Sequence, residues 1–114
     1  MKILVCGGRN FNDGKWFFDE LDKLNPKHVI SGGAQGADQL AISWAKYYCV
    51  PYTVFPANWG VHGKAAGPIR NKRMLDEGKP DLVLAFPGGV GTMNMVSQAL
   101  KAGVKVQHVT GEIQ

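Results

Sequence analysis

The sequence has no apolar run long enough to cross a bilayer, no block of like charge, no internal repeat and no low-complexity segment. Those absences argue against a helical membrane protein, a charged interaction tail and a solenoid. The N-terminal apolar stretch is only Ile3 to Cys6, so no signal peptide is expected and the expected setting is cytoplasmic. There are only two cysteines, Cys6 and Cys49, one in an expected strand and the other after an expected helix. That excludes a disulfide scaffold and offers no zinc-ligand spacing; both thiols are expected to be reduced, and no metal is expected. Two nucleotide signatures are also missing. No GxxxxGK[ST] occurs, which excludes a P-loop ATPase. Gly7-Gly8 lacks the later glycines of a dinucleotide fingerprint and no acid ends the second strand, so no nicotinamide or flavin cofactor is expected.

What is abundant is glycine, 15 in 114 residues, gathered into turns. With 45% apolar residues, the length suits one core and one domain, 1–114. The net charge of +4 suits a phosphorylated ligand without demanding nucleic acid, and most lysines fall on helix exteriors or loops.

Five short apolar runs read as strands: Lys2–Cys6, His28–Ser31, Pro51–Phe55, Asp81–Phe86 and Lys105–Val109. Helical patterns separate them. The first is capped by Asn12 or Asp13 and buries Phe17, Leu21 and Leu24. The second shows a stripe of Ala37, Leu40, Ala41, Trp44, Ala45 and Tyr48. The third opens at Gly67-Pro68 after a polar loop, Pro56 to Ala66, and ends near Gly78. The fourth runs from Met93 to Ala102, buries Met95, Val96, Ala99 and Leu100, and is ended by Gly103. Strict alternation predicts an α/β fold: a Rossmann-like open parallel sheet of five strands, order 3-2-1-4-5, with helices on both faces.

That order makes the first and fourth strands neighbours whose connections leave to opposite faces, the switch point where such sheets bind ligands. Three glycine turns reach this edge: Gly7-Gly8-Arg9-Asn10, Gly32-Gly33-Ala34-Gln35-Gly36 and Pro87-Gly88-Gly89-Val90-Gly91-Thr92. Glycines let a backbone approach a ligand closely, and two helix N-termini facing one cleft would present N–H groups to an anion. Thr92 stands where an N-cap is expected. Asp38, in a first helical turn, can offset the helix dipole or bond a ribose hydroxyl or the neighbouring loop. Arg70 and Arg9 can add charge-assisted bonds, with Asn71 beside Arg70. Phe11, Trp59 and Phe86 are candidate base-stacking rings. The candidate ligand-binding set is these three turns with Asp38, Trp59, Arg70 and Asn71, omitting Val90.

Gly7-Gly8-Arg9, Gly32-Gly33-Ala34-Gln35-Gly36-Ala37-Asp38, Gly67-Pro68-Ile69-Arg70-Asn71 and Pro87-Gly88-Gly89-Val90-Gly91-Thr92 together resemble the SLOG superfamily, most of all its small YspA-like, YpsA-related branch. The resemblance spans almost the whole chain. It implies a domain handling nucleotide-derived ligands: either an enzyme like the Lonely Guy phosphoribohydrolases, or a sensor of cyclic ADP-ribose-type signals in antiphage systems. Arg70 and the Gly88, Gly89, Gly91, Thr92 loop match the Lonely Guy pattern PGGxGTxxE, but Met95 stands where the glutamate belongs. A thioether neither activates water nor stabilises an oxocarbenium ion. Asn94, the nearest polar group in that turn, is expected to point elsewhere.

The expected function is therefore binding of an ADP-ribose or nucleoside-phosphate type of molecule, as a sensor or sequestering module without turnover and with no catalytic residue. Phosphoribohydrolase or N-glycosidase activity, with Asp38 or another carboxylate as catalyst, is one alternative. Single-stranded DNA binding is another, although nucleic acid is not the expected partner, because the basic residues do not interleave with aromatics. Trp16, Phe18, Trp44 and Tyr47 suggest aromatic surface for a homo-oligomer.

Overall fold

Ile3, Leu4 and Val5 are continuous apolar sequence because both faces of their strand are covered. They belong to β1 (Lys2–Cys6), the middle of a five-stranded parallel sheet. The other strands are β2 (His28–Ser31), β3 (Tyr52–Val54), β4 (Leu82–Ala85) and β5 (Lys105–His108), in the order β3-β2-β1-β4-β5. Ile3 lies opposite Val29 on one side and Leu82 on the other. The structure, a computed structural model, describes residues 1–109; the last five residues of the expected 1–114 domain lie outside the described residues.

Alternate side chains of each strand feed two cores. On one face Ile3, Val5 and Val29 pack against Phe17 and Leu21 of α1 (Gly14–Leu24) and against Ala41, Trp44 and Ala45 of α2 (Ala37–Tyr47). On the other, Leu4, Ile30 and Val83 meet Met74 and Leu75 of the later helix Ala66–Gly78, and Met95 and Ala99 of the last helix, Val90–Lys101. Helices thus cover both faces, and the expected strand order holds.

Local chemistry sets the helix ends. Asp13 Oδ1 accepts from the Trp16 amide at 3.1 Å to start α1, and Asn25, left-handed at φ 48°, closes it by donating to the Leu21 carbonyl. Asn58 does the same for a one-turn helix, α3 (Trp59–His62), which continues through a 3-10 turn, Gly63–Ala65, into α4 (Ala66–Gly78). The segment read as a polar loop is therefore mostly helical turn, and Pro68 sits third in α4 rather than first, still within the turn that lacks acceptors for its amides.

Other expectations are corrected. The last helix, α5 (Val90–Lys101), starts three residues before the expected Met93, with Gly89 as its N-cap; Thr92 lies inside the first turn and caps nothing. Leu100 is 61% exposed, because the buried phase of α5 runs Met95–Ala99 and leaves it one position past the stripe. Tyr48 is exposed and Leu24 half-buried. Trp44 is not surface for a partner: it faces the sheet from α2, and its indole N–H donates to Asp22 Oδ1 at 2.9 Å. Phe86 is not available to stack on a base, since it stacks on Phe17 at 4.3 Å within the core. Strands β3, β4 and β5 are a residue shorter at one or both ends than their apolar runs. Among the described residues no helix is long and apolar enough to cross a membrane.

Candidate functional site

Parallel topology sends the turns after β1, β2 and β4 to one edge, and hydrogen bonds lace them together. The Gly8 amide donates to the Pro87 carbonyl at 2.8 Å, and the Gly8 carbonyl accepts from the Ala37 amide at 3.1 Å. A Cβ on Gly8 would stand 3.1 Å from the Gly88 Cα, so the first turn is wedged between the other two. Over them opens a cleft of about 830 Å³, the size of a small-molecule site. A smaller concavity of about 510 Å³ lies at the opposite sheet edge, between Asn25–Lys27 and Tyr48–Pro51, and contains none of the glycine turns.

Most of the expected residues line the larger cleft. Gly7, Gly8, Arg9 and Asn10 supply one side, and Pro87, Gly88, Gly89, Gly91 and Thr92 another. Ala34, Asp38, Trp59, Arg70 and Asn71 complete it. Gly32, Gly33, Gln35 and Gly36 do not line it. The Gly32 carbonyl is buried under Arg70, the Gly33 carbonyl accepts from Gln39 Nε2 at 2.9 Å, Gln35 is exposed, and Gly36 packs on the first turn. These residues shape the second turn.

The two facing helix N-termini are unequal. At α2 the Ala37 amide is taken by Gly8, and the Asp38 carboxylate occupies the first turn, accepting from the Ala34 amide at 3.1 Å. At α5 neither a side-chain cap nor any backbone acceptor among the described residues meets the amides of Gly89, Val90, Gly91 or Thr92. The free anion-binding end is that of α5.

Arg70 is half-buried and acts mainly as a strut. Its Nη1 donates to the Gly32 carbonyl at 2.7 Å and more weakly to that of Phe55, and its Nε donates to Asn71 Oδ1 at 3.0 Å. Burial lowers its pKa, opposed by the Asp38 charge. Arg9 is exposed, its guanidinium 5.7 Å from the Trp59 ring centre. Trp59 is thus the exposed aromatic at the rim; Phe11 also lines the cleft, half-buried, with its ring edge-on to Phe86 at 5.3 Å.

Sequence reasoning missed Cys6, Lys64, Gly67, Pro68, Met74, Val90, Asn94 and Met95 as lining residues. Asn94 does not point elsewhere; it lines the cleft and accepts from Asn71 Nδ2 at 3.1 Å. Its α-helical spacing from Gly91 was the available signal. Met95, at the position of the Lonely Guy glutamate, is buried and closes the floor. Burial, with the Asp38 charge second, pushes the Cys6 thiol up to about 12, so it stays protonated and is no nucleophile.

Residues 1–62 match the family described as YspA, cpYpsA-related SLOG. The Gene 61 protein of Mycobacterium phage D29 is 38% identical over 117 residues, covering 92% of this chain and 93% of that protein. The chain belongs to the YspA, cpYpsA-related SLOG family. The family match ends before Arg70 and the Pro87–Thr92 turn, but the similarity to the phage protein extends over both halves. The X-ray structure of DNA processing protein A (DprA) from Streptococcus pneumoniae matches with a TM-score of 0.81 at 19% identity. It covers 98% of this chain, which spans only 51% of the DprA chain. At that identity the likeness is one of fold: this SLOG domain has the same open parallel sheet.

One titration in the SLOG cleft is checkable without a ligand. Burial raises Asp38 from 3.8 to about 6, against the Ala34 amide and the charges of Arg70 and Arg9. Between pH 4 and 6 the folded chain keeps a proton that the unfolded chain has released, so stability falls as pH rises through that window and levels off above it. Asp38→Asn, which can still accept from Ala34, is expected to be more stable than the parent at pH 8, by on the order of 2 kcal/mol. The margin should shrink by pH 4. Thermal melts at both pH values measure it, and an equal margin at both would mean that the carboxyl titrates normally.

Proposed function

We propose that the cleft binds a nucleotide-derived phosphorylated small molecule, of ADP-ribose or nucleoside-phosphate type, and holds or senses it without turning it over. The observation that carries this reading concerns Gly91. A Cβ there would meet nothing within 4 Å, and the residue is helical, without a positive φ. The fold does not require glycine at this position, yet it stands beside unpaired amides at the start of α5. Close approach of a ligand to the backbone explains it. Arg9 and Lys64 supply cationic groups, and Trp59 an exposed ring.

Lack of turnover rests on Met95 occupying the position of the glutamate in PGGxGTxxE. A second reading, N-glycosidic cleavage with Asp38 as acid, is favoured by the raised pKa of that buried carboxyl. One experiment addresses both. The protein is mixed with ADP-ribose, AMP and inorganic phosphate, binding is followed by calorimetry, and the recovered small molecules are identified by mass spectrometry. Binding with intact ligand is the expected result. Free base would replace the binding reading with the enzymatic one, and no heat with any phosphate compound would reject both. A gel-shift with single-stranded DNA, motivated by the fold shared with a DNA processing protein, is expected to be negative.

A further inference from the structure

Asn71 and Asn94 meet between α4 and α5 at the cleft floor, and the polarity of both amides is dictated from either end. Arginine only donates, so the Asn71 atom 3.0 Å from Arg70 Nε is Oδ1. A backbone carbonyl only accepts, so the Asn71 atom 3.4 Å from the Gly91 carbonyl is Nδ2. The two constraints agree. Asn71 Nδ2 then donates to Asn94, and the atom it meets at 3.1 Å is Oδ1. Gln98 imposes the same polarity independently: its Nε2 donates to the Pro68 carbonyl at 3.0 Å and to that Asn94 Oδ1 at 2.8 Å.

Asn94 Oδ1 therefore has two donors, and Asn94 Nδ2 has no acceptor among the described residues. Every fully buried side-chain nitrogen and oxygen among those residues is paired, so Asn94 Nδ2 is open, on a residue that lines the cleft. It lies on the α4-facing side of α5, one turn past Gly91 and about 5 Å further along the axis. That is roughly the reach from an esterified phosphorus to the oxygens of its sugar.

We propose that Asn94 is a specificity-determining residue, held by the Arg70–Asn71 relay as a hydrogen-bond donor to a sugar oxygen of a phosphate ester. This rests on the cleft being a site for phosphorylated ligands. A free phosphate has no atom in that position. A ligand presenting a donor there, such as an amino group, would face a second donor and leave both unpaired.

The test uses the whole chain, ¹⁵N-labelled, titrated with inorganic phosphate and with ribose 5-phosphate. Both probes should shift the backbone amides of residues 89–92, and only ribose 5-phosphate should shift the Asn94 side-chain NH₂. Asn71→Asp keeps an acceptor for Arg70 but faces Asn94 with a carboxylate in place of a donor: Asn94 Oδ1 loses the Asn71 bond and is repelled, and with Gln98 alone still holding that oxygen the Nδ2 is no longer fixed toward the cleft. The ratio of affinities, ribose 5-phosphate over phosphate, should then fall about tenfold, one hydrogen bond's worth. Asn94→Asp, which still accepts from Asn71 and Gln98, should lower the same ratio and guards against misfolding of the first variant. Shifts at residues 89–92 with a silent Asn94 side chain, or an unchanged ratio in both variants, overturn the relay alone. No shift at residues 89–92 with either probe overturns the phosphate site itself.

Discussion

Gly36→Ala is expected to destabilise the fold by roughly 3 kcal/mol or more. Gly36 sits at φ 76°, ψ −126°, where side chains other than hydrogen are excluded. Its Cβ would also press on the Gly8 carbonyl and stand 2.5 Å from the Arg9 carbonyl oxygen. Both neighbours are backbone, in a turn already fastened to Pro87 and Ala37, so they cannot swing aside as a flexible side chain would. Small domains hold only about 5–15 kcal/mol in total, so the variant should show a large drop in melting temperature or recover as insoluble protein. Urea denaturation gives the size of the loss. A midpoint within error of the parent would mean that the first and second turns are not in the contact described.

Gly91→Ala should act in the opposite direction on stability and abolish binding. Gly91 is in the first turn of α5 with open space where a Cβ would go. Alanine there should stabilise the helix by about 0.5–1 kcal/mol. The same methyl enters the cleft next to the unpaired amides, where the proposed ligand lies against the backbone. ADP-ribose binding is expected to weaken at least tenfold, that is by about 1.4 kcal/mol or more. The contrast between a higher melting temperature and a lost binding isotherm separates ligand contact from a folding defect. Binding equal to the parent's would leave Gly91 without a functional explanation and remove the main support for the proposed site.

These two glycines look alike in sequence, each within a turn following an apolar strand. Their different duties depend on what lies across from them. Gly36 is needed because another turn packs on it, whereas nothing in the fold needs Gly91.

Arg70 poses the same problem. Sequence pattern identifies it as a cation next to a glycine-rich edge. Its hydrogen bond to the Gly32 carbonyl, 38 residues away, turns it largely into a strut that holds the second turn against α4. Asn94, expected to point elsewhere, lines the cleft instead: its helical spacing from Gly91 allows that, and Asn71, on another helix, orients its amide.

The architecture was legible in the sequence alone. Apolar runs of strand length, alternating with helical stripes and punctuated by glycine and proline, specify the βα order through local preferences. Parallel strands with right-handed crossovers then bring the turns to one edge, which is how residues as distant as Gly8 and Gly88 could be expected to meet. Only the tertiary structure decided which amides stay free, which glycines are steric necessities, and that Trp44 and Phe86 are core rather than surface. Local preference is a property of a residue and its near neighbours. Whether a polar atom is satisfied or a ring is covered depends on the one group that packing places against it.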